Sequence, residues 1–93
     1  MSIRPEDILP ENINSMEVNG VTVRKATVAA VLANAKILAS KEADHDQKVS
    51  AKEAIKELAP ALVALELHQH VTWKNPEIQK IIDEEISKRG KIL

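Results

Sequence analysis

His68 and His70 are the residues of this chain that most directly invite a chemical reading. Two histidines at i and i+2 can share a metal ion on a strand, where alternate side chains point the same way. On an α-helix they diverge by about 200°. Their segment reads as the end of a helix, where a histidine also has a plainer role beside the terminal carbonyls. Asp44, His45 and Asp46 carry further ligand atoms, but far away in the chain. A structural metal site takes about four specified ligands. His45, His68 and His70 are the metal candidates, and only the fold can bring them together. No cofactor is expected.

The remaining reactive groups sit in ordinary contexts. Asp83, Glu84 and Glu85 occupy the polar side of a helix, and acid–base work would need a cleft that drives their pKa values apart. Ser40, Ser50 and Ser87 lie outside any nucleophile elbow. The two glycines are too few for a GxGxxG or Walker A loop. Lys48, Lys52 and Lys56 form a helical row, but Glu53 and Glu57 flank it and reduce its field. Trp73, the only aromatic residue, fits a lid over a core of small side chains or an interface anchor.

Composition narrows the class further. A 93-residue chain reads as one domain, 1–93, burying about 64% of its unfolded surface. Its apolar residues are mainly Ala, Val, Ile and Leu, so the core is thin and a second copy would add burial. The net charge of −1 carries no basic bias toward nucleic acid or anionic membrane. Absence of cysteine removes disulfides and thiol chemistry and fits a reducing compartment. No apolar run is long enough for a signal peptide or a membrane span. The chain has the look of a small, soluble bacterial protein of the cytoplasm.

The elements that must position these residues read as α+β, mostly helical. Residues 1–14 form an irregular segment, with one helical turn between Pro5 and Pro10. Asn19-Gly20 between alternating apolar runs predicts a β-hairpin over about 15–24 with a type I′ turn. Its register puts Met16, Val18, Val21 and Val23 on one dry face, and Ser15, Glu17, Thr22 and Arg24 on the wet one. A first helix, about 27–40 with Thr27 as N-cap, is apolar nearly all round, which suits a core centre or an interface. A second spans about 50–70, opened by a Ser50/Glu53 capping box and kinked at Pro60, with a break at that proline as the alternative. The polar residues 40–49 before it read as a loop or as its solvated start. A third spans about 76–89, with Asn75 as cap, Pro76 at its first position and Gly90 as its stop.

Val31 and Ala35 on the first helix, with Trp73, are the candidate interface residues. The pattern points to a non-catalytic interaction or regulatory protein that acts as a homodimer, with a further protein partner allowed. Two other functions compete with it: a metal- or small-ligand-dependent enzyme or binding protein using His68 and His70, and a DNA-binding regulator. No membrane partner is expected, and nucleic acid is disfavoured.

Overall fold

The computed structural model describes residues 15–24 and 26–90. The irregular segment 1–14 with its Pro5 turn lies outside the described residues. An antiparallel hairpin, β1 (Ser15–Val18) and β2 (Val21–Arg24), precedes three helices: α1 (Thr27–Ala39), α2 (His45–Ala64) and α3 (Pro76–Gly90). A short 3-10 turn at Leu67–Gln69 joins α2 to the last connection. The fold is α+β and mostly helical, as the sequence predicts.

The hairpin register pairs Ser15 with Arg24, Met16 with Val23, Glu17 with Thr22 and Val18 with Val21. Asn19 and Gly20 adopt φ of 50° and 81°, the left-handed pair that a type I′ turn requires. Asn19 does a second job: its side-chain amide donates to the Ala64 carbonyl at 3.0 Å, satisfying an orphan group at the C-terminus of α2. The expected dry face is only partly covered. Val23 is buried, Val18 and Val21 are half-buried, and Met16 is 37% exposed, because β2 is the strand that packs on α2.

α1 begins one residue away from the expected arrangement. Ala26 is the N-cap and makes no side-chain cap. Thr27 is the first helical residue, and its buried hydroxyl accepts the Arg24 N–H at 3.2 Å instead. That bond ties the helix start to the end of β2 and sets the rotation of α1. Val31 is thereby turned fully inward, with Ala35 and Leu38 packed beside the same core.

α2 starts earlier and stops earlier than its expected 50–70. The capping box is Asp44/Gln47: Asp44 Oδ1 accepts the Gln47 N–H at 2.8 Å, and Gln47 Oε1 accepts the Asp44 N–H at 2.9 Å. Residues 45–50 are therefore the solvated opening of the helix, extending it at little cost because propagation follows a single nucleation. The helix carries through Pro60, whose missing N–H forgoes one bond to the preceding turn. It ends at Ala64, where Glu66 turns left-handed at φ 62° and its N–H donates to the Val63 carbonyl. α3 matches its start signal: Asn75 Oδ1 accepts the Glu77 N–H at 2.9 Å, and Pro76 opens the helix.

The core joins Val31 of α1 to Ile55, Ala59, Leu62 and Val63 of α2 and to Ile78, Ile81 and Ile82 of α3. Ala61 through Ala64 are buried in succession. Consecutive helical residues point in all directions, so the end of α2 is enclosed on every side.

The Asn19 bond can be separated from its turn. Asn19→Gly keeps the left-handed backbone and loses only the link to Ala64, and is expected to cost about 1 kcal/mol in urea unfolding. Asn19→Ala adds the left-handed penalty and is expected to cost about 1 kcal/mol more. Equal losses for the two variants would show that the backbone conformation contributes nothing.

Candidate functional site

The histidines do not converge. His45 is the first residue of α2 and exposed, His68 is half-buried in the 3-10 turn, and His70 is exposed just after it. A 3-10 turn advances by three residues per revolution, so i and i+2 again face apart. His68 Nδ1 is buried without a hydrogen-bond partner, and its Nε2 lies 3.5 Å from the Gln69 amide nitrogen, a long contact. Among the described residues, no three His, Cys, Asp or Glu side chains gather closely enough to hold a metal ion.

Two lysines of the charged row form surface pairs. Lys52 meets Glu77 of α3 at 3.9 Å, and Lys56 meets Glu53 at 3.5 Å. Both pairs are well exposed, where such contacts are worth little. Asp83 accepts a hydrogen bond from the Gln79 side chain at 2.9 Å. Depressions lie between the end of α1 and the starts of α2 and α3, lined by Leu38, His45, Lys48 and Asn75, and along α3 beside Lys52 and Lys80. They bring together no nucleophile with a base. Trp73 lies half-buried against the core, and its backbone N–H donates to Gln79 Oε1 at 2.8 Å.

The surface that stands out is the outer side of α1. Val28, Leu32 and Ile37 are 38%, 49% and 38% exposed, and Ala29, Ala33 and Ala39 are exposed beside them. Helical spacing spreads these six residues over an arc that runs from beside Val31 (Val28, Ala39) round to its far side (Ala29, Ala33, Ile37), and Lys36 is the single polar side chain among them. The sequence marks α1 as doubly apolar but assigns Val31 and Ala35 to its interface. Val31 is fully enclosed within this chain and Ala35 packs on the core, so a partner would meet Val28, Leu32 and their neighbours instead. The usable signal is that Val28–Leu32 and Ala29–Ala33–Ile37 form a second apolar stripe one side-step from Val31–Leu38. Among the described residues, no helix is long and apolar enough to cross a membrane.

The scattered histidines generate a direct test. Titrating zinc into the protein is expected to leave its thermal midpoint unchanged, since the described residues hold no preformed site that would bind the folded state selectively. A rise of several degrees that His68→Ala removes would restore the metal reading. The chain matches no protein-family model, no curated protein and no solved structure.

Proposed function

We propose that this is a small non-catalytic interaction protein of the cytoplasm that acts as a homodimer through the outer face of α1. The observation that carries this reading is the exposure of Val28, Leu32 and Ile37 on one side of a helix whose other side already fills the core. Contiguous apolar surface of this kind marks interaction sites.

The chemistry of the face favours a second copy as its occupant. Ala29 and Ala33 leave a shallow groove in which another helix can approach closely, while Val28 and Leu32 supply the ridge to fill it. The same patch thus offers both halves of the fit, as a two-fold contact requires. Lys36 at its edge can keep its ammonium in water while its stem lies on the apolar surface. The thin aliphatic core adds a reason for association, since a domain of this size gains stability from shared burial.

Leu32→Glu tests the reading. Placing a carboxylate at the centre of the face is expected to weaken self-association at least tenfold by sedimentation velocity. Because Leu32 is half exposed, the variant should keep its helical circular dichroism and lose no more than about 0.5 kcal/mol of monomer stability. Identical sedimentation of the variant and the unchanged protein across concentration would sink the proposal.

A further inference from the structure

The hairpin carries a second self-complementary surface. In a hairpin closed by a two-residue turn, Val18 and Val21 exchange backbone bonds, and so do Met16 and Val23 two residues on. The N–H and C=O groups of Ser15 and Glu17 then point away from β2. On the other strand the corresponding groups belong to Thr22 and Arg24, and there the Arg24 N–H is taken by the Thr27 hydroxyl. That edge is closed at its end by the start of α1. On β1, among the described residues, no hydrogen bond engages the outward groups of Ser15 and Glu17. Met16, Glu17 and Ser15 are all exposed.

We propose that two copies of this chain pair antiparallel along β1, with Met16 opposite Met16 at the two-fold axis and Glu17 of each copy reaching Arg24 of the other. The register follows from the side chains. Centring the axis on Glu17 would set two carboxylates face to face, which is unfavourable. Centring it on Met16 puts Glu17 opposite Ser15 of the second copy, and each pair exchanges its N–H and C=O groups. It also brings the exposed Met16 side chains together at the close spacing of a non-hydrogen-bonded pair.

On the wet face the same register forms the row Thr22, Glu17, then Ser15 and Arg24 of the second copy. Glu17 and that Arg24 stand two strand spacings apart, about 9.6 Å. Ser15 between them is small, and both long side chains can meet above it. Among the described residues, neither Glu17 nor Arg24 has an ion-pair partner within its own chain. Strand addition of this kind draws its affinity from the backbone and its register from alternate side chains. The contact is separate from the α1 face, and with both in use, α1-paired dimers join edge to edge.

The test uses the full chain carrying Leu32→Glu, so that any remaining association comes from β1. That protein is expected to form a concentration-dependent dimer by sedimentation equilibrium, with the Glu17 amide slowed in hydrogen exchange as dimer accumulates. Adding Glu17→Arg, or Arg24→Glu, sets like charges together and is expected to weaken the dimer roughly tenfold, since each substitution counts twice across the axis. Combining the two reverses both charges and is expected to restore the dimer. A Leu32→Glu protein that stays monomeric to millimolar concentration, with Glu17 exchanging freely, overturns the edge pairing. A double variant no better than either single one overturns the register. Failure of the α1 reading has a different signature, because Leu32→Glu then changes nothing.

Discussion

Every principal contact between helices runs through α2, and this follows from how little bulk the chain has to bury. With one aromatic residue in the sequence, the core must be filled by aliphatic side chains at close range. Ile55 and Leu62 are fully buried at its centre, and α1, α3, β2 and the 3-10 turn each lean on the same helix. Among the described residues, a domain built around one central rod has no second layer to cover what faces outward. α1 can bury a single stripe, and its remaining apolar residues are left in water. The exposed face is thus a by-product of where α2 must sit.

The legible parts of the fold are those decided within a few residues. Asn19-Gly20 selects its turn locally, and the turn alone sets the hairpin register. Asn75-Pro76-Glu77 likewise marks a helix start through a cap, a preset φ and a favourable charge. α2 is harder because two capping boxes are written in succession, Asp44/Gln47 and Ser50/Glu53. The earlier one prevails, and the polar residues between them join the helix without needing an apolar period. Its end is equally non-local: Glu66 takes a left-handed conformation that its residue type does not announce, and the carbonyl at Ala64 is met by a side chain from the hairpin.

The candidate site was less legible than the fold, for a related reason. A helix that is apolar nearly all round does not declare which stripe it will bury. The choice is made by the Thr27 hydroxyl on the Arg24 N–H and by Val31 fitting among Ile55, Leu62 and the α3 isoleucines. Neither contact is visible as spacing. The histidines show the converse: HxH is conspicuous in the sequence, yet the turn that carries it sends the two rings apart.

The link from Asn19 to Ala64 closes a loop of 45 residues with a single side chain. The hairpin turn and the helical turns form from neighbours, on timescales up to about ten microseconds. This link cannot form until α2 is complete, because its acceptor is a carbonyl left over by the last helical turn. Docking of the hairpin is accordingly expected late, its chain-entropy cost preceding its reward. A contact formed after the barrier acts on the unfolding side, so weakening it would hasten escape from the native state while hardly slowing arrival. A bond of about 1 kcal/mol at the hairpin turn would then change the lifetime of the folded chain by up to about fivefold.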